Sequence, residues 1–186
     1  MDQIGSDFYI KLYQPLYHGT SAYLEPGRDL LYPHIAGVHK INAVFATSSF
    51  VKAVACALLS KHNMQNITVG PKGSYSYLYD KKSHAMILFP DWNWDDGAPV
   101  FVYGLDRTKF IKFVKPGGSL NGNEYISFSQ TEITDMEMIN PEHFEKNRVG
   151  LYVADSVKVL ENLHRIYDGC GNIGRHIIEK TCRKII

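Results

Sequence analysis

Leu16-Tyr17-His18-Gly19-Thr20 is the stretch on which the reading of this chain turns. It follows Phe8-Tyr9-Ile10-Lys11-Leu12-Tyr13, whose aromatics and alternation predict a strand within residues 1–15. A histidine beside a glycine at a strand end makes a particular chemical offer. Gly19 lets a flat ligand lie close to bare backbone, with peptide N–H and C=O groups within reach. His18 can bond a hydroxyl through one ring nitrogen while the backbone orients the other. Thr20 adds a hydroxyl beside it. The same five residues also suit a plain strand, a glycine turn and a half-buried histidine, so their meaning depends on what the rest of the chain brings to them.

Downstream, residues 21–42 carry Pro26-Gly27 and Pro33-His34 without a clean period and read as loop with room for a short helix. Ala43-Val44-Phe45-Ala46 reads as a short buried strand. Thr47-Ser48-Ser49 supplies capping hydroxyls for the apolar, Ala-rich run that follows, which predicts a helix from about Ser48 to His62 with Lys52, Ser60 and Lys61 on its wet side. Residues 63–84 are polar, and their Tyr75-Ser76-Tyr77-Leu78-Tyr79 alternation suits a hairpin or a loop. Ala85–Phe89 is a strand stopped by Pro90. The segment from Asp91 to Gly97 is a turn-rich loop holding Trp92 and Trp94. Pro99–Leu105 is the clearest strand, 106–112 a helical turn or an extended arm, and Pro116-Gly117-Gly118 a break. Asn123–Phe128 and Ile133–Met138 are further strands. From Leu151 the period changes: Asp155 or Ser156 caps a helix that carries Val157, Leu160, Leu163 and Tyr167 on one face and ends at Gly169-Cys170-Gly171. Arg175–Ile186 reads as a last, basic helix. The plan is a mixed α+β chain of many short strands with a helical tail.

Composition narrows the class. A length of 186 residues suits one domain with a real core, or one domain with an appendage. The formal net charge of +1 gives no bulk attraction to nucleic acid or anionic membrane. Twelve Tyr and nine Phe fit a β-rich protein or one that stacks planar ligands. The cysteines, Cys56, Cys170 and Cys182, are odd in number and widely spaced, which argues against a disulfide framework and for a reducing, cytoplasmic compartment. Met1–Ser6 lacks the basic flank and apolar run of a secretory signal, and no run approaches about 18 apolar residues, so neither a signal peptide nor a membrane span is expected.

Three pieces now stand in order: Tyr17-His18-Gly19-Thr20, then Val44-Phe45-Ala46-Thr47 running into a helix, then Asn123-Glu124-Tyr125-Ile126. Together they resemble the ADP-ribosyltransferase superfamily, in its His-Tyr-Glu class of diphtheria-toxin-like and poly(ADP-ribose) polymerase-like catalytic domains. The first matches that class's Tyr-His-Gly-Thr/Ser strand, the second its strand before an Ala-rich helix, the third its Asn-Glu-Tyr-Ile strand. The resemblance spans roughly residues 10–140 through short motifs whose order gives it weight. It implies a split β-sandwich of short, mostly antiparallel strands with flanking helices, residues 1–150 forming the catalytic domain and 151–186 a helical C-terminal extension packed on it. It implies NAD as co-substrate, no metal, and transfer of ADP-ribose to an acceptor, a protein first and a nucleic acid as the alternative. Mono-transfer is expected over polymer synthesis. An NAD glycohydrolase or toxin-like effector delivered into a host cytosol, and a degenerate non-catalytic module, are the rival readings.

The resemblance also assigns roles. Glu124 is the catalytic carboxylate, which stabilises the oxocarbenium-like ribose and holds one of its hydroxyls. His18 bonds the ribose of the adenosine half, supported by Thr20. The Gly19 backbone grips the nicotinamide amide, Phe45 stacks on the ring, and Ser49 is a lesser nicotinamide contact. The departures are as definite. The class's middle Tyr is absent: Phe45 takes its place in the preferred register, Val44 in the other. The position where the family often carries a second stacking Tyr is Cys56, or Ala55. Gly122 stands where arginine-specific toxins carry Glu or Gln, which disfavours an arginine acceptor. His34, His39, His62 and His84 show no metal-ligand spacing. The glycines of Gly169–Gly174 follow no strand, so they are not a dinucleotide fingerprint.

Overall fold

A computed structural model describes residues 14–35, 40–61, 76–79, 85–90, 99–114, 120–146, 150–170 and 175–185. In chain order these form β1 (Leu16–Thr20), β2 (Leu30–Leu31), β3 (His34–Ile35), β4 (Asn42–Thr47), α1 (Phe50–Lys61), β5 (Ser76–Tyr79), β6 (Ala85–Pro90) and β7 (Val100–Leu105). A 3-10 turn, Arg107–Lys109, precedes β8 (Ile111–Val114), β9 (Leu120–Ser127), β10 (Thr131–Ile139), α2 (Pro141–Lys146), β11 (Gly150–Ala154), α3 (Val157–Cys170), α4 (Arg175–Thr181) and β12 (Cys182–Lys184). The result is a mixed α+β fold of largely antiparallel sheet with flanking helices. The large sheet runs β2-β10-β7-β1-β4-β9-β8, with β3 paired to β4 off that path; the small one runs β12-β11-β6-β5. Every described pairing is antiparallel except β11 beside β6.

Helix α1 is the hinge of the packing. Ala53, Val54, Ala55, Ala57, Leu58 and Leu59 are all buried. They share one core with Val100 and Val102 of β7, Ile139 of β10, Phe144 of α2, and Leu151 and Val153 of β11. The helix thus packs against both sheets, which is why its sequence is apolar nearly all round rather than striped. The other face of the large sheet forms a second core of Leu16, Val44, Ala46, Phe101, Tyr103, Leu105, Tyr125 and Ile133. Segment 21–24 closes over it: the Tyr103 hydroxyl donates to the Ala22 carbonyl at 3.0 Å and accepts from the Leu24 N–H at 2.7 Å. Burial raises the Tyr103 pKa above the ordinary phenol value, partly offset by that Leu24 N–H.

The tail differs from the expected helical extension. It opens with β11 and closes with β12, and both are strands of the small sheet. In β11, Leu151 and Val153 turn towards α1, while Tyr152 and Ala154 turn towards Leu160 and Leu163 of α3, Ile178 of α4 and Cys182. A strand covered on both faces is apolar without alternation, so a short apolar run does not reveal whether it is strand or helix. The helix that follows does start as expected: Ser156 is its cap, its hydroxyl accepting from Val159 N at 3.4 Å.

Other differences are smaller. Helix α2 was not anticipated, although Asn140-Pro141 marks its start; the Asn140 side chain accepts from His143 N at 3.1 Å and proline fills the first helical position. The loop 21–42 holds β2 and β3. Segment 106–112 is both things expected of it, a capped turn and then a strand. Asp106 accepts from the N–H and hydroxyl of Thr108, which holds its carboxyl below the usual range. The strand expected at Phe8–Tyr13, the Trp92–Trp94 loop and the break at 116–118 lie outside the described residues. Among the described residues, no helix is long and apolar enough to cross a membrane.

Candidate functional site

The three motifs occupy three neighbouring strands, in the order β1-β4-β9. Tyr17 lies opposite Thr47, and Thr47 opposite Glu124, so the motifs meet side by side at one level of the sheet. The two edges of β1 are paired differently. β7 follows it from Leu16 opposite Leu105 to Thr20 opposite Phe101. Among the described residues, β4 meets it at Tyr17 alone. Beyond that point the imidazole of His18 links the two strands, with Nδ1 donating to the Phe45 carbonyl at 2.8 Å.

That bond fixes the ring chemistry. A carbonyl only accepts, so Nδ1 carries the proton and Nε2 of the neutral ring is an acceptor. Burial pushes the His18 pKa below its ordinary value; the Phe45 carbonyl opposes this and His34 adds to it. The neutral form therefore prevails at neutral pH, with Nε2 suited to a hydroxyl or amide donor.

Gly19 has a structural reason that the sequence did not disclose. A Cβ there would fall on the Ala53 carbonyl oxygen and lie 2.9 Å from Ala57 N, so α1 rests directly on the β1 backbone. The close approach read as room for a ligand is, on this face, taken by the protein's own helix. Thr20 accepts from Ala22 N at 3.2 Å and lies 3.5 Å from the Ser60 hydroxyl, near the last turn of α1. Ser49 sits at the other end, roughly 16 Å away along the helix axis. Its hydroxyl accepts from Lys52 N at 3.3 Å and its carbonyl from Ala53 N at 3.1 Å, the geometry of an N-cap. Thr47 supports it, its hydroxyl accepting from Ser49 N at 3.1 Å.

Alternation along β4 separates the two candidates for the missing Tyr. Val44 is buried in the second core with Leu16 and Tyr103. Phe45 is half-buried on the opposite face, edge-on to Phe113 with ring centroids 6.0 Å apart, beside Ala43 and Ile126. At the positions of the second stacking residue, Ala55 is buried and Cys56 half-buried.

Glu124 brings in a residue the sequence reading left on the wet side of α1. The Lys52 ammonium pairs with the Glu124 carboxylate at Oε1, and the two side chains are 15% and 16% exposed. The helical period alone placed Lys52 wrongly because the apolar stripe does not say what covers the first turn. The β4–β9 register decides that: Thr47, opposite Glu124, stands just before the helix start. A lysine amid Phe50, Val51, Ala53 and Val54 was the available hint. The next residue, Tyr125, is held by Arg107, whose Nη2 donates to its hydroxyl at 2.8 Å and whose guanidinium lies 4.7 Å from the ring centroid.

Among the described residues, no three His, Cys, Asp or Glu side chains gather as a metal site. Cys182 is a free thiol, and burial raises its pKa. Comparison with protein-family models, with curated proteins and with solved structures gives no match to this chain. The chemistry of the site therefore rests on its own residues: an uncharged imidazole acceptor, a carboxylate beside a cation, and a half-buried ring.

Proposed function

We propose that this chain is an NAD-dependent mono-ADP-ribosyltransferase of the His-Tyr-Glu kind, its two sheets being that family's split β-sandwich. The observation that carries the reading is the adjacency of the motifs at 17–20, 44–47 and 123–126, far apart in sequence and side by side on β1, β4 and β9. In the reaction the nicotinamide–ribose bond of NAD breaks and nicotinamide leaves with the bonding pair. The ribosyl carbon passes through an oxocarbenium-like state, is attacked by the acceptor, and the acceptor's proton goes to solvent. Glu124 stabilises the cationic ribose and holds its hydroxyl. His18 Nε2 accepts from the adenosine ribose, Thr20 supporting. The peptide groups of Gly19 meet the carboxamide, and Phe45 offers a ring face. Ser49, whose hydroxyl accepts from the Lys52 N–H at the start of the helix, is the lesser nicotinamide contact.

A second reading has a specific observation behind it. Glu124 is already paired with Lys52, and the class's Tyr is absent, as in a fold retained for binding alone. Nicotinamide release from NAD separates the two. We expect release by the wild type, and loss on the order of 100- to 1000-fold in Glu124→Gln, with NAD still raising the melting temperature of both. A thermal shift by NAD without release would favour the binding module. Release untouched by Glu124→Gln would sink the catalytic assignment.

A further inference from the structure

We infer that Lys52 is a positioning residue for Glu124; this rests on the transferase reading above. Three observations meet here. The pair joins two elements, the first turn of α1 and strand β9, and both side chains are largely withdrawn from water. At that burial the ammonium fixes the carboxylate's direction more firmly than a surface partner would. Lys52 also stands at the third position of its helix, where its own N–H is capped by Ser49. A cation in a first helical turn opposes the helix dipole, whereas an anion there is favoured. As a stabilising device the lysine is poorly sited, and a partly buried ion pair adds little to folding once desolvation is counted. Its location makes sense through Glu124, whose flexible side chain it holds and aims.

The chemistry agrees. A carboxylate has about four lone-pair sites, so an ammonium at Oε1 leaves capacity for a ribose hydroxyl. Lys52 needs no contact with NAD in this role. It holds Glu124 in the rotamer that faces the ribosyl carbon, and its loss lets the carboxylate swing without changing how the dinucleotide binds.

Nicotinamide release by the purified full chain tests this, with wild type, Lys52→Arg, Lys52→Met, Glu124→Gln and the Lys52→Met/Glu124→Gln double variant. We expect Lys52→Met to lower kcat on the order of ten- to a hundredfold with KM for NAD little changed. Lys52→Arg should recover most of that loss, since it restores the cation. In the Glu124→Gln background the second substitution should change the residual rate by less than about twofold, because Lys52 acts through the carboxylate. Melting curves establish that each variant is folded, and Lys52→Gln replaces Lys52→Met if the latter is not. An active wild type whose kcat survives Lys52→Met, or whose loss is as large without Glu124, overturns the positioning role and leaves the transferase reading standing. A wild type that releases no nicotinamide overturns both.

Discussion

Helix α1 touches the large sheet in two ways, and the difference between them separates what the fold needs from what the chemistry needs. Along its middle, Ala53 and Ala57 lie against Gly19 of β1, backbone on backbone, with no side chain between. In its first turn, Lys52 reaches to Glu124 of β9 through an ion pair. The middle contact has a full explanation in packing: a strand that must pass under a helix needs glycine at the crossing, whatever the protein does. The first-turn contact has little such explanation, since hydrophobic side chains there would stabilise the protein at least as well. Of the motif residues, Gly19 is thus the weaker witness to function and Glu124 the stronger.

Gly19→Ala is the harshest break of that contrast. The added methyl meets a backbone carbonyl, which cannot rotate out of the way, so α1 or β1 must shift as a body. We expect a loss of about 3 kcal/mol or more, seen as a lower urea midpoint, with any fall in activity accompanying that loss of stability. A variant of wild-type stability would mean that the helix seat is looser than its geometry. Wild-type stability with abolished nicotinamide release would transfer Gly19 to the chemical side of the comparison.

How far the sequence alone could go follows the same division. Period and turn chemistry found β4, β6, β7, β9, β10, α1 and the start of α3, from alternation, from β-branched and aromatic runs bounded by turn residues, or from a hydroxyl cap. They missed β11, covered on both faces by α1 and by α3 with α4, where alternation carries no information. They missed β2 and β3, two residues each, too short for any period. Motif spelling put His18, Phe45 and Glu124 together, and the strand order β1-β4-β9 does make their strands neighbours. Lys52 stayed hidden because its meaning lies in the β4–β9 register, a non-local pairing that nothing in Phe50–Lys61 encodes. The His18–Phe45 bond was hidden likewise: the Val44–Phe45 run looked like a source of side chains, and it supplies a carbonyl.

Ser49→Ala sharpens the contrast at the junction of the two contacts. The Ser49 hydroxyl caps the first turn through the N–H of Lys52 itself, so its removal loosens the residue that holds Glu124. A lost cap costs about 1 kcal/mol, read as a shifted denaturation midpoint with unchanged slope. If the first turn serves chemistry, nicotinamide release at saturating NAD should fall further than this modest loss of stability explains. A stability loss with turnover intact would place the first turn with the middle of the helix, as packing alone.

The last test is the smallest and reads a slope. His18 is buried with its pKa below the ordinary value of 6.5, chiefly because burial disfavours the charged ring. Once pH drops below that value, the unfolded chain binds a proton there that the folded chain still refuses. Stability from this group is therefore full above pH 6.5 and declines as pH falls towards the folded pKa. His18→Gln, which can still donate to the Phe45 carbonyl, removes that decline. We expect the wild-type melting temperature to fall relative to that of His18→Gln as pH drops across roughly pH 8 to 5. His34 contributes to the lowering, so His34→Gln should soften the wild-type decline without abolishing it. Parallel curves for wild type and His18→Gln would mean that the imidazole between β1 and β4 is solvated in both states. The gap it bridges would then be open to water, and His18 would belong to the mobile edge of the site instead of its frame.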